Sequence, residues 1–501
     1  MHFAFFNPQG NFDPDDSYWT EHPDFGGQLV YVKEVALALG AMGNRVDIVT
    51  RQIFDPDWPE FSQPQDRYPA GENPGAENVR ILRLPCGPKH FLPKEQLWPY
   101  LGTEWVPNII AFYTQEDQFP AAITTHYGDG GLAGAFFARH TGIPFTFTAH
   151  SLGAQKMDKL GAHPDNLAEI DARFNFRYRI AAERTAMNHA GRIITSTQQE
   201  RYEQYSHPAY RGAVDPQDNE KFAVIPPGVN LRIFSTRPAS QDARVRARIQ
   251  AALQRDIDPD RQQLPVVVCA SRLDPKKNHI GLVQAFARNH ELRGCANLAI
   301  VVRGVEHPFQ EYHNFNPGEA AVFQEIVTLI EKSGLRGKVT AFPLNSQQEL
   351  AAGYRVLVEY GSVFALTALY EPFGLAPLEA MSCGLPVVVT RNGGPSESLY
   401  EDGREYGVLV DPSDAEAIAG GILRLLRSPE TWRKFQIAGL ARIQSKYTWQ
   451  RTAEGYQNVL RTLAKRPFRS GTIAVPEFFT HPERPISLES LYRTYFEQES
   501  V

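Results

Sequence analysis

Apolar and polar positions fall in blocks along this chain. Short apolar runs recur at 2–6, 45–50, 79–84, 122–125, 145–149, 192–196 and 222–225, and again at 265–270, 298–303, 339–342, 363–367, 386–390 and 407–410. Runs such as VVVCA and PVVVT carry no polar alternation, which suits strands buried on both faces of a parallel sheet. Between the runs, apolar residues return every three or four positions. Leu29, Val32, Val35, Ala36 and Leu39 form one such stripe and predict a helix over 28–42. Further helices are predicted near 97–115, up to about 140, over 166–190, from 198, and over 413–427, 430–445 and 448–464. Strand, loop, helix, strand in repeated alternation is the pattern of α/β domains.

The alternation occurs in two series. They predict a first Rossmann-like domain at 1–230, a linker at 231–263, a second Rossmann-like domain at 264–465, and a tail at 466–501. Residues 231–263 are charged and mostly polar, which suggests a linker with some helix. The tail contains Phe478, Phe479, Tyr492 and Tyr495 and is expected to pack back on the first domain. Residues 52–78 are polar and proline-rich and read as a surface excursion.

Composition narrows the classes. A chain of 501 residues has ample length for two domains, and its net charge of −6 gives no basic surface for nucleic acid or an acidic membrane. The four cysteines, Cys86, Cys269, Cys295 and Cys383, are scattered and form no C-x-x-C pair, which argues against disulfides and a zinc cluster. No run approaches the roughly 20 apolar residues of a membrane span, and the first residues lack a signal-peptide pattern. The expectation is a cytoplasmic protein.

The densest chemistry lies in 364–395, FALTALYEPFGLAPLEAMSCGLPVVVTRNGGP. Glu371 falls in the loop leaving a strand, where ligands of open α/β sheets bind. Glu379 falls inside the following helix. The N–H groups of Leu375 and Ala376 open that helix and suit an anion such as a diphosphate. A carboxylate also accepts hydrogen bonds from vicinal sugar hydroxyls. In the first strand–loop of the second series, SRLDPKKN places Arg272 and Lys277 beside a helix start, where they would stabilise a diphosphate leaving group. In the first series, Gly26-Gly27 allows a ligand to approach the next helix N-terminus. His150 ends a strand beside a glycine-containing loop, with no orienting partner visible in the sequence. Asp13-Pro14-Asp15 matches an acidic D-x-D pattern, but Pro and Asp are frequent there and no metal site is read.

These stretches, with NPQGNFDPDDSYWTEHPDFGGQLVYVKE, FLPKEQLWPY, TTHYGDGGLAG, FTAHSLGAQKM, VIPPGVN and FPLNSQQEL, make the chain resemble sucrose-phosphate synthases, within the family 4 retaining glycosyltransferases, over nearly its whole length. The resemblance implies a GT-B fold, two Rossmann-like domains facing a deep cleft. It implies transfer of glucose from UDP-glucose to fructose 6-phosphate, giving sucrose 6-phosphate and UDP, with no required cofactor. Stimulation by Mg2+ stays open. Glu371 would contact glucose hydroxyls, Glu379 the ribose, and Arg272 and Lys277 the diphosphate, with Gly27, Leu375 and Ala376 adding anion contacts and His150 beside the glucose. The base would lie near Phe342-Pro343-Leu344-Asn345. The acceptor phosphate would be held by Lys94, Lys156 and Arg179, with Gly26 and Gln28 near the sugar. Arg177-Tyr178-Arg179 departs from an adjacent-arginine pattern, and Arg177 is the substitute candidate. Dephosphorylation of the product would need a separate sucrose-phosphate phosphatase as partner. Sucrose synthase using free fructose, a mannosyltransferase using the same acceptor, and a non-catalytic two-lobed sugar-nucleotide binding protein are the alternatives.

Overall fold

The computed structural model describes residues 1–19, 25–71 and 73–497. Residues 20–24, residue 72 and the last four residues of the tail lie outside the described residues. The chain forms two compact units, Met1–Pro227 with Trp449–Val501, and Gly228–Thr448.

In the first unit, eight strands form one sheet among the described residues. They are β1 (His2–Phe6), β2 (Arg45–Arg51), β3 (Gln65–Asp66), β4 (Val79–Leu84), β5 (Ala122–His126), β6 (Phe145–Thr148), β7 (Arg192–Thr195) and β8 (Phe222–Val224). Their spatial order is 3-4-2-1-5-6-7-8. All pair in parallel except β3, a short antiparallel edge inside the excursion over 52–78. Both faces are covered. Phe3 and Phe5 point into one buried cluster, Ala4 and Phe6 into the other, so these strands read as continuous apolar runs. The helix Tyr127–Thr141 lies close against the sheet. A Cβ at Gly130 would stand 2.6 Å from the Phe6 carbonyl oxygen, so the glycines of this stretch set the helix-to-sheet distance.

The second unit is built the same way. Its strands are β9 (Val266–Ala270), β10 (Asn297–Val302), β11 (Val339–Pro343), β12 (Val363–Leu366) and β13 (Val387–Thr390), then a small hairpin, β14 (Tyr400–Glu401) and β15 (Arg404–Glu405), and β16 (Val408–Val410). The main sheet is parallel, in the order 11-10-9-12-13-16. Counted along its own strands this is the doubly wound order 3-2-1-4-5-6. Val266, Val268 and Ala270 face one core and Val267 and Cys269 the other. All four cysteines are free thiols.

The unit boundaries differ from the predicted 230, 264 and 465. Residues 231–263 are no linker: they contain the helix Asp242–Asp256, whose Val245, Ile249, Ala252 and Leu253 are buried in the second core. That stripe is narrow and set among arginines, so polarity masked it. The helix Trp449–Leu463 belongs instead to the first unit. Its Trp449, Ala453, Tyr456 and Leu460 join the core around Phe3 and Phe5, and the Tyr31 hydroxyl donates to that of Tyr456 at 3.0 Å. The long helix predicted over 166–190 is two helices, Leu167–Phe174 and Phe176–His189, broken at Asn175 with φ +50°. Residues 7–19 are packed: Phe12 meets Trp19 edge-on at 5.9 Å and Tyr18 meets Trp58 at 4.7 Å.

The tail packs on the first unit, as expected. Tyr178 stacks on Phe478 with ring centres 4.0 Å apart, and the Arg177 guanidinium donates to the Ile486 carbonyl at 3.1 Å. Phe479 is fully buried. Phe479→Ala is expected to cost about 3–5 kcal/mol of stability to denaturant. A loss below ~1 kcal/mol would show that the tail is not part of this core.

Candidate active site

Parallel strands direct their following loops to one edge of the sheet, and a gap opens where neighbouring strands wind in opposite directions. In the second unit that gap lies between β9 and β12. The loop after β9 ends at Asn278, held at φ +55°. Asn278 accepts from the Gly281 N–H at the start of the helix His279–Arg288, and its amide donates to the Thr367 carbonyl at 3.0 Å and the Pro412 carbonyl at 2.8 Å. One side chain thus ties the β9 loop to the loop after β12. The Leu369 N–H adds a second tie, to the Lys276 carbonyl at 2.9 Å.

Those ties bring Lys277 to Glu371. The Lys277 Nζ donates to Glu371 Oε2 at 2.7 Å, with both side chains largely shielded from solvent. Glu371 is held by its backbone too: its N–H donates to Asn392, and its carbonyl accepts from Gly394. A Cβ at Gly393, whose φ is +101°, would run into the Glu371 backbone, so this turn requires glycine. Arg272 is exposed, and its guanidinium has no hydrogen-bond partner among the described residues.

The helix Leu375–Ser382 begins after Gly374 at φ +93°, and no side chain caps it. The Leu375 and Ala376 N–H groups thus lie in its first turn. On the same helix, burial pushes the Glu379 carboxyl up to about 7, opposed by the charge of Arg303. Its carboxylate has no hydrogen-bond partner among the described residues. Arg303 and Arg272 both line a cavity of about 240 Å³ above β9, β10 and β11, with Val302, Phe315, Leu344 and Leu350 as its apolar wall. Sequence reasoning reached Leu344 and missed Arg303. Its position directly after the β10 run was the available signal.

In the first unit the gap lies between β1 and β5. Gly26 and Gly27 open the helix Gly27–Ala41. Neither has positive φ, and a Cβ at either would meet nothing within 4 Å. Among the described residues no packing demands glycine here, and the space above the helix N-terminus is open. Gln28 does not project freely: its buried amide donates to Asn7 Oδ1.

Lys94 and Arg179 line one small cavity with Gln9, Tyr127, Asp129 and Phe174. Lys156 Nζ sits 3.8 Å from the centre of the Phe174 ring, a cation–π contact. The three predicted cations therefore gather around one spot. Arg177 is not among them. Its guanidinium binds Asp171 at 2.6 Å as well as the tail, on another face of its helix. Arg177 and Arg179 share the helix Phe176–His189, and their two-residue spacing turns them to different faces of it.

Glu183 organises this region from below. Fully buried, it accepts from the Gly153 N–H at 2.9 Å, from Arg179 Nε at 2.9 Å and from the Tyr210 hydroxyl at 2.5 Å. Arg179 reaches on to the Ser151 carbonyl at 2.8 Å. The loop carrying His150 and the Arg179 guanidinium are thus fixed by one carboxylate. His150 itself stands at φ +55°, and its Nε2 lies 2.8 Å from Nδ1 of His126, the last residue of β5. Burial holds the His150 imidazole down to about 3 and that of His126 well below its ordinary value, so both rings are neutral at pH 7. His126 and Asp129 were not singled out in the sequence, though both lie in TTHYGDGG beside a strand end.

Asp13, by contrast, serves its own turn, accepting from the Ser17 N–H and hydroxyl, both at 2.8 Å. Among the described residues no three His, Cys, Asp or Glu side chains are grouped to hold a metal ion, and no helix is long and apolar enough to cross a membrane.

With these two sites in view, the comparisons define the class. The family described as "Glycosyl transferase 4-like domain" matches residues 26–228, and "Glycosyl transferases group 1" matches 252–442. The chain is a glycosyltransferase of two Rossmann-like domains. It is 45% identical over 479 residues to a "Probable sucrose-phosphate synthase" of Thermosipho melanesiensis, covering 96% of this chain and 99% of that one. It is 32% identical to the "Sucrose-phosphate synthase" of Zea mays, covering 86% of this chain and 44% of the maize protein. Among solved structures, the sucrose-phosphate synthase of Thermosynechococcus elongatus superposes with a TM-score of 0.61 at 25% identity, covering 92% of this chain and 99% of that one. The Anabaena protein HepE in complex with UDP and glucose shares the fold, with a TM-score of 0.55 at 17% identity, covering 93% of this chain and all of that one. The chain belongs to the sucrose-phosphate synthase family.

Asp129 gives a test of the geometry of this small cavity. It is 2% exposed, its Oδ2 has no partner among the described residues, and burial pushes its acid up to about 7. The folded state therefore keeps a proton that the unfolded chain loses near its ordinary value of 3.8. Stability from this group is present at low pH and falls as pH rises from about 4 towards 7. Asp129→Asn removes that loss. Its melting temperature is expected to exceed wild type by a few degrees at pH 8, roughly 2–4 °C per kcal/mol, and by less at pH 5. Equal or lower melting at pH 8 would show that the carboxylate is compensated in the folded protein.

Proposed function

We propose that this chain transfers glucose from UDP-glucose to fructose 6-phosphate, releasing sucrose 6-phosphate and UDP, with the donor held by the second unit and the acceptor by the first. The observation that carries the donor assignment is the Lys277–Glu371 pair at the strand-order reversal, next to the exposed Arg272. A diphosphate anion suits the charge of Arg272 and Lys277 and the open N–H groups of Leu375 and Ala376. When it draws Lys277 towards it, Glu371 is left to accept from glucose hydroxyls. Glu379, with its carboxylate unpartnered, suits ribose hydroxyls, and the apolar wall around Leu344 suits a base. Gly27, at an open helix N-terminus of the first unit, suits an anion contact.

Three cations about one cavity support a phosphorylated acceptor: Lys94, Lys156 and Arg179. Gly26 and Gln28 stand at the neighbouring helix start. In the transfer, the bond between glucose C1 and the diphosphate oxygen breaks and a bond from C1 to the acceptor hydroxyl oxygen forms. The acceptor proton passes to the departing diphosphate, which Arg272 and Lys277 stabilise as its charge grows. His150, neutral and partly buried, would stand beside the glucose. Attack from the face the diphosphate leaves retains the donor's configuration and needs no protein nucleophile. A separate phosphatase would consume the phosphorylated product.

The first assay is UDP release from UDP-glucose with fructose 6-phosphate or fructose at equal concentration. Strong preference for the phosphate ester is expected. Equal use of fructose would overturn the Lys94, Lys156 and Arg179 assignment, and turnover only with GDP-mannose would overturn the donor. A paired experiment locates the phosphate. Lys94→Ala is expected to raise KM for fructose 6-phosphate about 10–100-fold, as loss of a charged hydrogen bond should, with KM for UDP-glucose unchanged. A rise in the donor KM instead would move Lys94 to the other substrate.

A further inference from the structure

His126 ends β5, where its backbone is fixed by pairing with Thr148 on β6. Its side chain is fully buried. Phe5 and Tyr31 close around the ring, with centroid distances of 5.7 and 6.2 Å, and the ring is nearly parallel to that of His150 at 5.0 Å. Nδ1 of His126 meets Nε2 of His150 at 2.8 Å. The other nitrogen of His126, Nε2, is buried and has no partner among the described residues.

Two neutral imidazoles joined by one hydrogen bond have two arrangements. In one, His150 donates from Nε2. His126 then carries its own proton on the buried Nε2, an N–H with no acceptor. In the other, His126 donates from Nδ1. Its buried Nε2 is then a lone pair without a donor, and His150 carries its proton on Nδ1. An orphaned buried N–H is rarer than an under-used acceptor, and an unmade donor bond carries the full desolvation cost. The second arrangement is favoured.

We infer that His126 is a positioning residue that fixes the neutral ring of His150 as the tautomer protonated at Nδ1, so that His150 meets the substrate as a hydrogen-bond donor and not as a base. The inference rests on the proposed placement of His150 beside the transferred sugar. The left-handed backbone at His150 and the Glu183-anchored Gly153 that follows leave that ring little freedom other than rotation about its own bonds. The bond from His126 removes that freedom as well. A fixed donor stabilises an oxygen that gains negative character in the transition state without reorganising during the reaction.

The tautomer can be read without turnover. In full-length protein labelled with 15N-histidine, long-range proton–nitrogen spectra distinguish a ring protonated at Nδ1 from one protonated at Nε2. His150→Gln assigns the His150 signals by their loss. His150 is expected to show the Nδ1-protonated pattern in the wild type and in His126→Asn, whose amide nitrogen replaces the Nδ1–H donor. In His126→Phe it is expected to change to the Nε2-protonated pattern. An Nε2-protonated His150 in the wild type overturns the inference.

Activity gives the second reading. His126→Phe is expected to lower kcat about 10–100-fold, as loss of an orienting partner of a working histidine does, with KM for UDP-glucose unchanged. His126→Asn is expected to recover most of that loss. Equal damage in both variants, or no loss in His126→Phe, overturns the positioning role. If His126→Phe does not fold, the wild-type and His126→Asn spectra decide. Absence of transfer with any donor would sink the functional reading and leave the tautomer result standing by itself.

Discussion

Parallel pairing constrains everything else in this protein. A parallel strand can be reached only by a crossover, so each loop that follows a strand leaves from the same edge of its sheet. Where the winding reverses, two neighbouring strands send their helices to opposite faces, and the edge between them stays open. Each unit has one such place, between β9 and β12 in one and between β1 and β5 in the other. Lys277 and Glu371 stand at the first. Gly26, Gly27, His126 and Asp129 stand at the second.

At both places the polar groups are incompletely satisfied. Glu379 and Asp129 are carboxylates without full partners, with burial lifting each to about 7. His126 has a buried nitrogen with no partner among the described residues. Buried polar atoms are nearly always paired, and a sequence that keeps several unpaired at strand ends gives up stability there. The compensation lies in the supports. Asn278 caps its own helix and ties the β9 loop to the loops after β12 and β16, and Glu183 holds a loop, an arginine and a tyrosine at once. The groups at both places are therefore held where they stand by these supports.

Much of the fold was legible because burial on both faces writes itself as an unbroken apolar run. The parallel strand cores from Phe3–Phe6 to Val408–Val410 stood out this way, and so did the strong helical stripes, whereas the short polar strands β3, β14 and β15 did not. Elements with weak stripes did not. The helix Asp242–Asp256 has four buried side chains among four arginines and reads as a polar spacer. The break at Asn175 depends on a left-handed backbone that asparagine tolerates but does not demand. Arg177 and Arg179 are two positions apart, and on a helix that spacing puts them on different faces: one binds Asp171 and the tail, the other Glu183 and the cavity.

What the amino-acid order alone determined was local: which runs are strands, which turns need glycine, and which charged residues sit just past a strand end. EPFGLAPLE and SRLDPKKN also carried the resemblance to the family that the comparisons show. Only the tertiary structure decided which of these ends are neighbours. The helix Trp449–Leu463 joins the first unit because its aromatic face fits Tyr31, a contact 425 residues distant in sequence. His126 meets His150 because β5 and β6 lie side by side in register. Sequence spacing carries no information about strand order, and strand order is what brings two histidines, or a lysine and a glutamate, within one hydrogen bond.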